Sequence, residues 1–246
     1  MQVITHEAMI QRNRKISQAS FLFSLVALLA AFLFGNALAG NDPNTAFYFQ
    51  CGILPTLFLV ILFSVRMANN WIREPLPWDA IQESLRGLSS NARLYHFVFP
   101  ARHVLIAPAG VFVIYPLFQE RPLRIKNNRW SMPGSLFSAI FTFMRQENIG
   151  DPFREAKAEA EIMQRLLDTR FPDSGIEVQP IIFFTSKRAK EVDSDEVEPL
   201  VPITYAALEP TLKPFLKSMR DNERPNLTPE QVEALENEFV YVDGGS

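Results

Sequence analysis

The side chains best suited to metal or nucleophilic chemistry are few in this chain and widely separated. There is one cysteine, Cys51, and it lies in an apolar run, so an intrachain disulfide and a cysteine metal site are both excluded. The three histidines, His6, His96 and His103, stand too far apart along the chain to predict a zinc site. The sequence has no glycine-rich phosphate loop, nucleophile elbow or dinucleotide-binding fingerprint. We therefore predict neither a metal centre nor a bound cofactor.

A basic cluster beside a tryptophan is the clearest candidate for binding phosphate groups. Arg121, Arg124, Lys126 and Arg129 precede Trp130, whose ring is able to stack on a base. Around this cluster, residues 86–145 carry eight Lys and Arg against one acid, whereas residues 146–246 carry eleven against twenty-one. The basic half suits either anionic lipid head groups or nucleic acid. A solvated strand face accounts for the same residues equally well.

Two uncharged segments of membrane-spanning length lie ahead of these residues. The first runs from Ala19 to Leu38 and the second from Ala46 to Val65. As helices, each is long enough to cross a hydrocarbon core about 30 Å thick. The turn between them, GNDPNT, cannot lie in lipid because its backbone groups would be left unsatisfied. The sequence therefore predicts a two-pass helical hairpin in a cell membrane, with lipid as its first partner.

Basic residues at the ends of the two segments predict the orientation of the hairpin. Five of them flank the segments and none lies in the turn: Arg12, Arg14, Lys15, Arg66 and Arg73. The positive-inside rule then places both termini in the cytoplasm. Cleavage by signal peptidase after Ala39 stays open as an alternative, although the apolar run is long for a signal peptide. In either case, the domain that follows the hairpin is cytoplasmic.

Small residues recur at every fourth position of the first segment and predict a helix-packing face. They are Ala27, Ala31, Gly35 and Ala39. Such a face allows two helix backbones to approach closely. Its occupant is either the second helix of the same chain or a helix of another subunit, which would be a second copy or a different membrane protein.

The rest of the chain predicts an α/β domain. Helices are expected from Asp79 to about Leu88, from Asp151 to about Arg170 and from Pro229 to about Phe239, and the apolar segment 136–144 is expected to be a buried or membrane-facing helix. Strands are expected at 94–99, 103–107, 111–115, 123–126, 178–185 and 201–203. The predicted organisation is a cytoplasmic segment 1–18, a transmembrane hairpin 19–66, a linker 67–79, an α/β domain 80–220 and an acidic tail 221–246.

Residues 80–205 resemble the nuclease-related domain (NERD), a family of the restriction-endonuclease-like superfamily. The resemblance is carried by the hairpin HVLIAPAGVFVIY, by the Asp151-Pro152 pair that opens a long helix, and by the strand PIIFFT. It implies a restriction-endonuclease-like α/β fold. It also implies a Mg²⁺ site built from an Asp at the start of the hairpin and a Glu-x-Lys at the end of its second strand.

This chain departs from the family pattern at the site itself. The three corresponding positions are His103, Tyr115 and Leu117, so none of the expected residues is present. Glu83 and Glu120, together with His103, are the candidates for a displaced site. We therefore predict a degenerate, membrane-anchored domain that acts in binding or scaffolding. Two alternatives are kept: an active nuclease with displaced ligands, which alone would need Mg²⁺, and an accessory subunit of a membrane protein complex.

Overall fold

The computed structural model describes residues 1–119, 123–126, 129–132, 150–186, 193–194, 203–205, 212–219 and 224–240. They form two compact units, one of residues 8–74 and the other of residues 1–7 with the described residues from 75 onward. The expected helix at 136–144, together with Glu120 and Arg121, lies outside the described residues.

The first unit is a pair of antiparallel helices, α1 (Glu7–Asn41) and α2 (Pro43–Trp71). Both are long and apolar enough to cross a membrane, which confirms the prediction of two helices of membrane-spanning length. Each helix extends past the predicted uncharged segment: α1 begins at Glu7 and α2 continues to Trp71. Asp42 ends the turn and caps α2, with its carboxylate accepting from the Asn44 backbone N–H at 3.0 Å and the Thr45 hydroxyl at 2.6 Å.

Small and hydroxyl-bearing residues line the contact between α1 and α2. The Ser17 hydroxyl donates to the Met67 carbonyl at 3.2 Å, and the Ser64 hydroxyl donates to the Ser20 carbonyl at 3.0 Å. Gly35 is also buried in this contact. The large apolar side chains point outward, and every one that is exposed in the described part of the chain lies between Ile16 and Phe63. The outer surface of the hairpin is therefore apolar, as contact with lipid requires.

The second unit is built on a mixed sheet of six strands. The strands of the described residues are β1 (Gln2–Thr5), β2 (Arg93–His96), β3 (His103–Ala107), β4 (Gly110–Leu117), β5 (Arg124–Lys126), β6 (Arg129–Ser131), β7 (Val178–Phe184), β8 (Asp193–Ser194) and β9 (Ile203–Tyr205). The order in the main sheet is β1-β2-β3-β4-β7-β9, and a smaller sheet has the order β6-β5-β8. Strands β2, β3 and β4 are antiparallel, whereas β1 pairs parallel with β2 and β7 pairs parallel with β4.

Helices cover both faces of the main sheet. They are α3 (Pro77–Ser84), α4 (Pro152–Arg170), α5 (Leu212–Met219) and α6 (Pro229–Phe239). Val111 and Val113 of β4 pack with residues of α4 and α6, whereas Phe112 and Ile114 pack with residues of α3 and α5. A strand buried on both faces reads as a continuous apolar run, which is why GVFVI was recognisable in the sequence.

Strand β1 was not predicted. Residues 1–18 were expected to form a terminal segment, but Gln2–Thr5 pairs with β2. At the ends of this pairing, the Gln2 N–H donates to the Ala92 carbonyl at 2.9 Å and the His6 N–H donates to the His96 carbonyl at 3.0 Å. Four residues give too short a pattern to predict a strand, and the partner strand lies beyond the whole hairpin. The main sheet therefore contains one strand that precedes the helical hairpin in the sequence and strands that follow it.

Part of the expected acidic tail, residues 221–246, is folded. Helix α6 begins and ends where the sequence predicted, with Thr228 and Gln231 forming a capping box. Its apolar residues Val232 and Leu235 are buried in the core of the sheet unit, so residues 224–240 belong to the fold. Glu236 accepts from Arg93 at 2.5 Å and from the Tyr95 hydroxyl at 2.8 Å. An acidic composition concealed this packing because only one face of the helix is charged.

Candidate functional site

The open end of the β3–β4 hairpin is where the family resemblance expects the catalytic residues. The strand register pairs Val104 with Val113, so His103 lies opposite Ile114, and the residue opposite Tyr115 is Arg102. Alternate residues of a strand point to opposite faces. His103 and Tyr115 therefore lie on opposite faces of the sheet, so the three positions that match the metal-site residues of the family do not face one site.

On the α4 face, Tyr115 is the centre of a charged cluster. Its hydroxyl donates to the Glu155 carboxylate, and the Arg102 guanidinium lies 5.6 Å from the centre of its ring. Arg102 also donates from Nε to Glu159 Oε1 at 2.7 Å. Burial, and then the bond to Glu155, raise the pKa of Tyr115, so the phenol is neutral near pH 7.

Local backbone geometry positions the acids of this cluster. Glu155 and Glu159 are four residues apart on α4 and so share one face of the helix. Gly150 has a φ of +62°, and a Cβ there would lie 3.3 Å from Glu155 Oε1. Asp151 then caps the helix by accepting from the Arg154 N–H at 3.2 Å. A glycine ahead of the cap therefore leaves room for the carboxylate that Tyr115 contacts.

On the α3 face, two histidines form a buried pair. His96 and His103 are directly opposed across β2 and β3, and their Nδ1 atoms lie 2.9 Å apart. One Nδ1 must carry the proton and the other must accept it. Phe97, which follows β2 with a φ of 61°, stacks edge-on against the His103 ring at 4.9 Å. Aromatic and apolar groups thus surround the pair.

The environment of the pair favours neutral imidazoles. Burial lowers the pKa of His96 to about 4 and lowers that of His103 well below its usual value, with a further contribution from the neighbouring His96 and Arg102 charges. His96 Nε2 is buried and has no hydrogen-bond partner among the described residues. Protonation of His96 would therefore bury an N–H group with no acceptor. Such lowered pKa values do not suit a general base that works near neutral pH.

Of the predicted phosphate-binding residues, the structure describes the side chains of Arg124 and Trp130, and Trp130 is buried. Trp130 is 9% exposed and packs between Phe153 and Phe184, with ring centres at 5.1 and 5.9 Å, so its faces are covered and it cannot stack a base. Arg124 is exposed on β5. Arg121 lies outside the described residues. Lys126 and Arg129 lie on β5 and β6, but their side chains do not belong to the described part.

Glu83 lies away from the hairpin end. It is exposed on α3 and lines a cleft of about 540 Å³ with Asp79, Gln82 and Arg86 of the same helix region and with Met1 and Val3. No three His, Cys, Asp or Glu side chains converge as a metal site within the described ranges of the chain. Sequence reasoning missed Arg102, Glu155 and Glu159. The four-residue spacing of the two acids next to a helix start was a local signal, but only the strand register brings Arg102 to them.

No protein-family model, curated protein or solved structure matches this chain.

Proposed function

We propose that this protein is a membrane-anchored binding or scaffold protein whose cytoplasmic domain is a nuclease-like domain without nuclease chemistry. The observation that carries the proposal is the composition of the hairpin end. The position expected for a metal-binding Glu is Tyr115, whose hydroxyl is bonded to Glu155. The Arg102 guanidinium lies against this ring and pairs with Glu159. Its fixed positive charge disfavours the binding of a metal cation at the same place.

The arrangement of the elements supports the nuclease-like ancestry. Helix α3 is followed by the antiparallel strands β2, β3 and β4, and α4 then connects β4 to the parallel strand β7. With the basic strand β5 and Trp130 of β6 between the hairpin and α4, this order resembles that of the NERD family. The proposed lineage and the proposed loss of catalysis are separate claims, because a shared fold does not imply a shared function.

The pairing of β1 with β2 supports a topology in which both termini share one side of the membrane. Strand β1 precedes α1 and strand β2 follows α2, yet the two are hydrogen-bonded neighbours. A chain that crosses twice satisfies this pairing, whereas a single crossing would separate the strands. The five flanking basic residues favour the cytoplasmic side. Cleavage after Ala39 would remove β1 from its chain, so the pairing also favours a retained first helix.

Loss of nuclease chemistry is tested on the full-length protein in detergent, because residues 76–246 alone would lack β1. We expect no cleavage of single- or double-stranded DNA or RNA with Mg²⁺ or Mn²⁺. The matched variants are Glu83→Ala, Glu120→Ala and Glu159→Ala. Metal-dependent cleavage that any one of them abolishes would identify a displaced site and overturn the non-catalytic assignment.

The topology is tested by labelling single cysteines from outside intact cells in a Cys51→Ser background. We expect Asn44→Cys, at the start of α2, to react with an impermeant maleimide, and Glu233→Cys, on α6, to react only after the cells are opened. Both original side chains are exposed, so accessibility within the protein is matched. The reverse pattern would place the α/β domain outside the cell.

A further inference from the structure

Strand β1 leaves one edge of the main sheet open. The Gln2 N–H and the His6 N–H both donate to carbonyl groups on the β2 side. Alternate residues of a parallel strand direct both of their backbone groups to the same neighbour, so Ile4 also bonds to β2. Val3 and Thr5 direct their N–H and carbonyl groups to the other side of β1, where no strand lies within the described part of the chain.

This edge lacks the usual protection against the addition of another strand. Sheets commonly protect an exposed edge with a charged side chain, a proline or a bulge. Strand β1 has the sequence QVIT, without charge or proline, and its register with β2 is unbroken from Gln2 to Thr5. Val3 and Thr5 each present one donor and one acceptor there. Such a row of backbone groups fits the backbone of an extended peptide.

A polar cleft of about 540 Å³ adjoins this edge on the side of α3. Val3 belongs to one wall, and polar residues of α3 and of the turn after it form the other: Asp79, Gln82, Glu83 and Arg86. The side chains of Gln82, Glu83 and Arg86 are exposed and have no hydrogen-bond or ion-pair partner among the described residues. Polar groups are therefore available beside the open backbone edge.

Acidic and basic groups occupy different parts of this cleft. Asp79 and Glu83 lie on successive turns of α3, and Arg86 and Gly87 follow the end of the helix. Lys213 adds a second cation near Gly87, since its Nζ would lie 3.6 Å from a Cβ built there. A peptide strand beside β1 would direct alternate side chains toward α3. A basic and an acidic side chain would each meet the opposite charge in the cleft.

We propose that the free edge of β1 binds an extended peptide segment of a partner protein, which carries a basic and an acidic side chain on the side that faces α3. The backbone of the segment pairs with Val3 and Thr5, and the charges of the cleft select its sequence. The inference rests on the proposed binding function. The nuclease assay above measures cleavage, whereas the test below measures peptide binding, so the two claims fail separately.

The test selects short peptides from a displayed random library on the full-length protein in detergent and remeasures them as synthetic peptides. Val3→Pro removes an outward N–H and keeps the bonds of β1 to β2, because an edge strand tolerates proline where its N–H faces solvent. Val3→Ala is the matched control, since it also shortens the side chain but keeps the N–H. We expect binding to Val3→Pro to be about tenfold weaker than binding to Val3→Ala.

Charge selection and backbone pairing are tested with the same peptides. Glu83→Lys should weaken binding by about fivefold, and Glu233→Lys, at an exposed acid of α6, should not change it. N-methylation of the peptide should abolish binding only at alternate residues, which holds even if Val3→Pro lowers the urea midpoint. Failure to select any peptide, N-methylation effects without alternation, or equal binding to Val3→Pro and Val3→Ala would each overturn the proposal. A dimer of the protein that Val3→Pro dissociates would instead assign the edge to a second copy.

Discussion

The hairpin and the sheet unit distribute polar and apolar residues in opposite ways. In the hairpin, Ser17, Ser24 and Ser64 are buried, and leucines and phenylalanines cover the outside. In the sheet unit, most of the buried side chains described are apolar, such as Leu94 and Phe112. The first arrangement suits contact with lipid, and the second removes apolar groups from water. The same residue type therefore contributes differently to stability in the two units, and each contribution is measurable.

The largest expected difference concerns leucine. Leu167 of α4 is fully buried, and Leu167→Ala should lower the free energy of unfolding of the sheet unit by about 3 kcal/mol through lost burial and a residual cavity. Leu22 of α1 is 63% exposed, and Leu22→Ala should lower the stability of the hairpin by less than about 1 kcal/mol, because lipid replaces the lost contacts. Urea unfolding in detergent, followed by tryptophan fluorescence and helix content, measures both. Equal losses would contradict the inverted arrangement.

The buried polar groups of the two units also differ, because those of the sheet unit include the pair of His96 and His103, whose protonation depends on pH. The pKa of His96 is lowered to about 4 in the fold, whereas an unfolded histidine titrates near 6.5. Between these values the unfolded chain binds more protons, so stability is fully present above about pH 6.5 and is lost as the pH falls toward 4. His96 alone should contribute a loss of about 3 kcal/mol. The lowered pKa of His103 acts in the same direction.

This acid sensitivity is measured as the urea midpoint of the sheet unit between pH 7 and pH 4. The double variant His96→Leu/His103→Leu replaces the pair by apolar side chains and should lose most of the dependence on pH. His96→Leu alone leaves His103 without its partner, and should be less stable at pH 7 than the double variant. An unchanged pH dependence in the double variant would assign the effect to other groups.

Local patterns were sufficient for much of the fold. The β3–β4 hairpin, α4 and α6 were predicted because each has its own start signal and periodicity within one stretch of sequence. Strand β2 was predicted to continue to Phe99, but it ends at His96 because Phe97 adopts a left-handed conformation that bends the chain toward β3. That bend brings His96 opposite His103. No local pattern predicts it.

The candidate sites depended on pairings that are distant in the sequence. The family resemblance matched His103 and Tyr115 to positions of its metal site, and only the register shows that the two lie on opposite faces of the sheet. Trp130 looked like a stacking residue because it follows a basic stretch, but β6 turns it into the core beside Phe153. The register of a strand decides which face a residue occupies, and a shift of one residue reverses it.

A smaller effect is expected from the close contact of α1 with α2. Gly35→Leu should destabilise the hairpin by about 2 kcal/mol, because a large side chain does not fit in the space beside Gln50 without separating the helices. Leu33→Ala, at a position 59% exposed on the same helix, is the control and should cost less than about 1 kcal/mol. Thermal unfolding in detergent compares the two. If both variants melted alike, Gly35 would not be a packing position.

The smallest expected effect isolates one interhelical hydrogen bond. Ser64 donates both to the Val60 carbonyl of its own helix at 2.9 Å and to the Ser20 carbonyl of α1 at 3.0 Å. Ser24 is also buried, but its hydroxyl bonds only within α1, to the Phe21 carbonyl at 2.8 Å. Ser64→Ala should therefore lower the stability of the hairpin by about 0.6 kcal/mol more than Ser24→Ala, the typical value for a bond between transmembrane helices. The two substitutions remove the same atom from similarly buried sites, so their difference in thermal unfolding reports the bond to Ser20. A larger loss for Ser24→Ala would mean that hydroxyls stabilise each helix separately and that packing alone joins α1 to α2.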